Sequence, residues 1–535
     1  MSHSDRSRTR RTGIIAIVIS GLFLAGCTAN SGVSGTASTS DTGTPQIIGN
    51  QSDGGSPVEG GTLNFASASP VAKLDPITGS PSGLLGGTEM AAIYDTLVRW
   101  EPTTQNYEPQ LAKSLTQSDD HLTWTLGLRD GVSFSDGTVL DAAAVVDSTN
   151  RYNAGKGASS DLFNNGVTSV VATDPATVVY TLNRPWPEFP SLLTFGHGMI
   201  TTANSYAGEQ FTPIGAGPFI VDQFSPGSEL VLSPKSDYWG GKPKIDKLKF
   251  VDISGSQAKI EALQSGGIQM TLLRQPDAVA TATTMFPGYL EPVSVIDAGQ
   301  INTREGHPGS DVRVRKALAL AVDADVLNGR VHNGKMNAAT DLFPSGSKWH
   351  GNVSGLSYDP DQAKTFLDEA KADGYDGNIS FVTPQTPEAI SRALAVQAMW
   401  QAVGFNVEIK YLSSTTDQVR TLYITHDFDV SSGGNGVWDA APMSRLYSSL
   451  ASGSARNTGG FSDPETDRIL GEIMSATNDS DKLAAIDRLQ TEINATVPIM
   501  VWGAGNNFVP WTDNVHGAKP GLDSLVLFDK VWLSK

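Results

Sequence analysis

The stretch "SRALAVQAMWQAVGFNVEIKYL" (391–412) constrains the fold more than any other part of this chain. Its first half carries apolar residues at helical spacing and stops at Gly404. Its second half alternates Phe405, Val407, Ile409 and Tyr411 with Asn406, Glu408 and Lys410, the period of a half-buried strand. The same helix–glycine–strand order recurs in "GSQAKIEALQSGGIQMTLL" (255–273). A helix that ends and turns straight into a strand lays its apolar stripe on the sheet that strand joins, so these joints predict an α/β body with mixed sheets. Two further helix starts fit. Asp311 is placed to cap a helix carrying Val314, Leu318 and Val322, and Asp359 precedes Pro360 at a first-turn position in a helix that stops at Gly374. A first short strand is expected in "GGTLNFASAS", where Leu63 and Phe65 alternate with Thr62 and Asn64. With 535 residues the chain exceeds one ordinary core, and two or three domains are expected. No repeat of solenoid period is visible.

The N-terminus sets the compartment. Arg6, Arg8, Arg10 and Arg11 stand against a single acid, Asp5, and "GIIAIVISGLFLAG" follows, apolar and ending in small residues. A basic region, a short apolar region and a small-residue exit make a secretory signal, too short for a comfortable span of ~20 apolar residues. The adjacent Arg10 and Arg11 leave general and twin-arginine export both open. The chain's one cysteine, Cys27, closes "LAGC", which resembles the bacterial lipoprotein signal. That resemblance implies cleavage after Gly26 and lipidation of Cys27, and two or more acyl chains hold a protein stably at a membrane. A disulfide within the chain needs a second cysteine. From Thr28 to Gly61 more than half the residues are Gly, Ser or Thr and none is aromatic, the composition of a flexible tether.

Charge and motifs exclude several chemistries. The formal net charge is −18, and removing residues 1–26 takes away four Arg and one Asp, leaving about −21. A nucleic-acid reader needs Lys and Arg along the phosphates, and no basic stripe stands beyond the N-terminus. There is no HExxH, GxSxG or paired CxxC, and none of the eight His stand at i, i+4. No catalytic residue, metal site or cofactor is therefore assigned. "GRVHNGKM" (329–336) fits GxxxxGK, but it ends in Met where a P-loop needs a magnesium-binding hydroxyl, and a helix rather than a strand precedes it.

Several spaced segments together carry a family resemblance: "LAKS" (111–114) with "LRDGVSFSDG" (128–137), "GAGPF" (215–219), "DYWGGKP" (237–243), "NTREGHPGSDVRVRKAL" (302–318) and "FSDPETDRILGEI" (461–473). In this order they resemble the family-5 extracellular solute-binding proteins, the peptide- and nickel-binding receptors of ABC importers. The resemblance implies a two-lobed periplasmic-binding-protein-like α/β fold of the large peptide-binding group. Lobe I would take 62–95, 209–298 and 503–535, an extra subdomain 96–208, and lobe II 299–502, after a signal over 1–26 and a linker over 27–61. It implies capture of a small solute, foremost a peptide or peptide-like compound, and delivery to ABC permease subunits. The receptor would be a monomer, anchored by lipid to the outer face of the cytoplasmic membrane, with no nucleic-acid partner. A surface lipoprotein used for signalling or adhesion, or a secreted enzyme, are the alternatives.

Ligand-binding residues are expected on loops facing the cleft. The first such loop is "SSGGNGVWDAAPMSRL" (431–446), which offers Asn435, Trp438 and Asp439. In peptide-binding members the matching stretch carries an acidic pair before proline, and one carboxylate there meets the peptide amine. Here Ala441 replaces the second acid, which puts amine recognition in question. Asn302, Trp502 and Asn506 lie near the expected lobe crossings and complete the candidates.

Overall fold

A computed structural model describes residues 43–49 and 55–535. The signal segment, Cys27 and most of the expected tether lie outside the described residues. No helix of the described residues is long and apolar enough to cross a membrane.

The joints read from sequence build the sheets. Thr386 caps the helix Pro387–Val403 by accepting a hydrogen bond from the Ala389 N–H, and Gly404 ends it in the left-handed region at φ 109°. The chain then enters the strand Asn406–Leu412, which pairs in parallel with Asn378–Pro384. Asp311 and Asp359 cap Val312–Leu320 and Pro360–Ala372 in the same way. The second joint forms too: the helix Ser256–Gln264 gives way through Gly266 to the short strand Met270–Thr271. Residues 329–332 of the P-loop-like stretch are the last turn of the helix Ala324–His332, so that stretch forms no phosphate-cradling loop.

One sheet has five strands in the order Met270–Thr271, Thr62–Ala66, Lys247–Val251, Glu229–Pro234 and Phe219–Ser225, parallel across the first three and antiparallel beyond. Phe65, Phe250 and Phe528 meet on its core side, with ring centroids 5.5–6.0 Å apart. A second, seven-stranded sheet runs Asn337–Ala338, Ile499–Pro510, Gly288–Ile301, Val430–Ser432, Asn378–Pro384 and Asn406–Leu412, with one more strand on the side of Gly288–Ile301. Leu318, Phe381, Trp400 and Trp502 fill its core, and Trp400 Nε1 donates to the Leu318 carbonyl at 3.0 Å. Each such side chain contributes roughly 1.5–3 kcal/mol by leaving water.

A third, four-stranded antiparallel sheet is made by Ala112–Gln117, Thr123–Leu128, Thr177–Leu182 and Val167–Asp174. Its core is continuous with the helices Pro464–Ser475 and Asp479–Thr496: Trp186 and Phe189 share one apolar cluster with Ile473, Met474 and Leu489. The buried ion pair Lys482–Glu188 closes the same contact.

The seventh strand is Gln46–Ile48, within the stretch whose composition predicts a flexible tether. It pairs antiparallel with Gly288–Leu290. The reason is local: Ile47 packs on the five-stranded sheet's core and Ile48 on a small cluster around Phe508, while the strand covers an edge that would otherwise be open.

Candidate functional site

Two long strands run between the bodies. Gly288–Ile301 begins beside the five-stranded sheet's core and ends in the seven-stranded sheet, and Ile499–Pro510 returns antiparallel to it. Their register breaks between Val293 and Asp297, where Val295 adopts φ 52°. A β-branched residue in the left-handed region marks a bulge held by its surroundings. The loop that follows Val430–Ser432 is fastened to this bulge. Ser294 and Val437 exchange backbone hydrogen bonds of 2.9 and 2.8 Å. Gly434 lies so close to the crossing strand that a Cβ there would stand 2.2 Å from the Ile296 carbonyl oxygen. Gly434 serves close approach of backbone to backbone.

Trp438 is thereby set between the bodies. Its side chain, 4% exposed, packs with Trp100, Val293, Ala441 and Leu522, and with Tyr107 at the edge of the cluster. These residues come from both sides of the crossing strands. Tyr107 also donates its hydroxyl to the Ala440 carbonyl at 2.8 Å. The Arg445 guanidinium lies 4.7 Å above the Trp438 ring, a cation–π contact, and 3.7 Å from the Asp523 carboxylate.

The remaining sequence candidates fall in different settings. Asp439 braces the loop: its carboxylate accepts from Ser347 Oγ and the Lys348 N–H, both at 2.7 Å, and its carbonyl accepts from Trp349 Nε1 at 2.8 Å. Burial pushes its carboxyl up. Asn435 donates to Ser449 Oγ at 2.5 Å. Asn302, fully buried just past the first crossing strand, donates to the His426 and Phe428 carbonyls at 3.0 and 2.9 Å. Trp502 belongs to the seven-stranded sheet's core, with its ring edge-on to Phe381 at 6.3 Å. Asn506 is half-buried on the return strand, paired with Pro292. Trp438 and Asp439 flank the junction, whereas Asn302 and Trp502 sit in the body of the second sheet.

Sequence reasoning passed over the charged groups of the junction. Glu291, on the first crossing strand, accepts from the Asp523 N–H at 2.9 Å and Ser524 Oγ at 2.6 Å. Burial, with Asp523 nearby, pushes its carboxyl up to about 8. Asp523 and Ser524 hold φ 59° and 54° without being glycine, a strained turn fixed by these bonds. A second set links the segment 275–277 to the opposite helices. Arg392 grips Asp297 at 2.8 Å and Glu388 at 2.7 Å, and His332 Nε2 lies 3.2 Å from Asp297. Gln275 donates to Glu388 at 3.2 Å, and Asn333 to Asp277 at 2.7 Å. Arg274 stands between the two sets, and burial pushes its guanidinium down to about 10. Among the described residues no three His, Cys, Asp or Glu are placed to hold a metal ion. Aromatic faces, paired polar groups and a two-strand hinge suit enclosure of a small molecule.

The profile of the bacterial extracellular solute-binding proteins, family 5 Middle, matches residues 106–457. The chain is 28% identical over 362 residues to a dipeptide-binding protein of Escherichia coli K12, across 61% of this chain and 68% of that one. It is 25% identical over 484 residues to heme-binding protein A of Haemophilus influenzae, across 83% and 88%. The solved structure of the E. coli murein tripeptide binding protein MppA superposes with a TM-score of 0.76 at 21% identity, covering 89% of this chain and 99% of that one.

Proposed function

The chain belongs to the bacterial extracellular solute-binding proteins of family 5, and from that premise we propose that it is the lipid-anchored receptor of an ABC importer for a peptide or peptide-like solute. The lobes we propose are 62–95 with 209–298 and 503–535, carrying the subdomain 96–208, and 299–502. The anchor is Cys27, on the outer face of the cytoplasmic membrane. The observation that carries this reading is the junction itself. Two crossing strands with a bulge join the bodies, and side chains from both bodies converge on Trp438 beside that bulge. A solute touching both lobes gains its full set of contacts only when they close, and that differential affinity draws the population to the closed form. Relatives named for dipeptides and peptide transport favour a peptide. The engagement of Asp439 by Ser347 and Lys348 argues against that carboxylate as the amine partner. Thermal-shift screening of the full-length protein against peptides, sugars, opines, metal chelates and haem tests the reading. A true solute at a hundred times its Kd should stabilise the fold by about 2.7 kcal/mol. Failure of every class to raise the melting temperature would overturn it.

A further inference from the structure

Two seams bound the subdomain 96–208. Toward lobe I it is held by the chain itself at both ends and by polar contacts. Lys235 Nζ donates to the Ser133 carbonyl at 2.6 Å, Ser133 Oγ donates to Asp237 at 3.0 Å, and the Arg129 guanidinium lies 4.1 Å over the Trp239 ring. Toward lobe II no chain crosses, yet that seam is the apolar one: Trp186 and Phe189 are buried against Met474 and Leu489. Gly166 lies against both sides of it, since a Cβ there would stand 2.6 Å from Met474 Cε and 2.8 Å from the Trp186 ring. At the rim the Ala455 N–H donates to the Asp161 carboxylate at 2.9 Å.

Inside this apolar seam lies the buried ion pair of Lys482 with Glu188. Among the described residues the second carboxylate oxygen, Glu188 Oε2, has no partner. A buried pair offsets its loss of hydration only when its remaining lone pairs are met. This one is not fully met, so it holds the seam less firmly than apolar side chains of the same size would. It suits a contact that must part, because water takes up both charges once the seam opens. The hinge supplies the motion. The register break between Val293 and Asp297 lies on strands that join lobe I to lobe II and bypass the subdomain. Rotation there carries lobe II away from everything fixed to lobe I. The seam also reaches the junction: Lys482 Nζ lies 5.2 Å over the Trp349 ring, and Trp349 Nε1 donates to the carbonyl of Asp439, next to Trp438.

Resting on the solute-receptor reading, we propose that the subdomain is a latch on lobe II. Trp186, Phe189 and Glu188 let go of Met474, Leu489 and Lys482 as the lobes part, and take them up again on closure. The closed form therefore has a hold of its own beside that of the solute, and the empty receptor is closed part of the time.

The test is pulsed electron paramagnetic resonance on the full-length protein carrying Cys27→Ser, with no solute added and spin labels on cysteines introduced at exposed positions. Val171→Cys with Leu394→Cys reports subdomain to lobe II, and Val171→Cys with Met285→Cys reports subdomain to lobe I. The first pair should show a short and a longer distance, the second a single one. Glu188→Gln leaves the Lys482 ammonium facing a neutral partner in the seam. It should lower the ratio of short to long about tenfold, the loss expected for a hydrogen bond between charged groups. Asp161→Ala, at the exposed rim, should lower the ratio about threefold, and it carries the test should Glu188→Gln fail to fold. With both distances present, a ratio that neither variant changes overturns the latch and leaves the receptor reading standing. So does a parent protein showing the long distance alone. A fixed distance to lobe II with a varying one to lobe I also overturns it, since the subdomain would then travel with lobe II. One short distance to lobe II that no variant changes overturns the hinge, and the receptor reading with it.

Discussion

Glu291→Gln isolates one buried carboxyl at the hinge. Glu291 has an ordinary value of 4.5 and is pushed up to about 8 by burial, with Asp523 adding to it. Between these values the unfolded chain has released the proton and the folded chain still holds it, so stability falls as pH rises. The contribution is whole below about pH 4.5 and is gone once pH passes about 8. The slope is about 1.4 kcal/mol per pH unit, which accumulates to about 3.5 kcal/mol between pH 5 and pH 8. Glutamine keeps the shape and the oxygen that accepts the Asp523 N–H, and it cannot ionise. Urea unfolding of both proteins from pH 5 to pH 9 measures the difference, and subtraction cancels the titration of other buried acids such as Glu89, held near 7. The variant should gain on the unaltered protein steadily as pH rises, then level off above pH 8. A difference that stays flat across this range would refute the claim that the fold holds Glu291 neutral.

Gly434→Ala would drive a methyl to 2.2 Å from the Ile296 oxygen. It should cost more than about 2 kcal/mol in urea unfolding and blunt any ligand-induced rise in melting temperature. Cys27→Ser should move the protein from the membrane fraction to the soluble fraction on ultracentrifugation while solute binding persists. A variant that stays with the membranes sinks the anchor proposal.

The parts of the fold legible in sequence were those fixed by near neighbours. Gly404 ends a helix and the next residues alternate, so both elements follow from a few adjacent side chains. Asp311 and Asp359 announce their helices for the same reason. The strand Gln46–Ile48 was hidden because its partner lies far along the chain, and two isoleucines among Gly, Ser and Thr look incidental until that edge exists. The junction divides the same way. Trp438 stands out by type in a glycine-rich loop. Asn302 and Trp502 offer the same chemistry to a reader of sequence, yet one bridges two carbonyls and the other fills a core. Arg274 and Arg445 carry no local signal, since a charge closing an apolar run or sitting on a short helix is ordinary. Their meeting around Asp523 beside Trp438 is a tertiary fact.

The small strand Gln46–Ile48 also decides where the molecule can be held. It is sewn to Gly288–Leu290, at the root of the first crossing strand, whose other edge takes Phe508–Pro510 of the second. An anchor at Cys27 would therefore reach the body at the pivot, through 19 residues that span at most roughly 65 Å. A door hung at its hinge swings without dragging its frame. Attached there, a pull on the strand Gln46–Ile48 would act at the root of the crossing strands and exert little torque on either lobe.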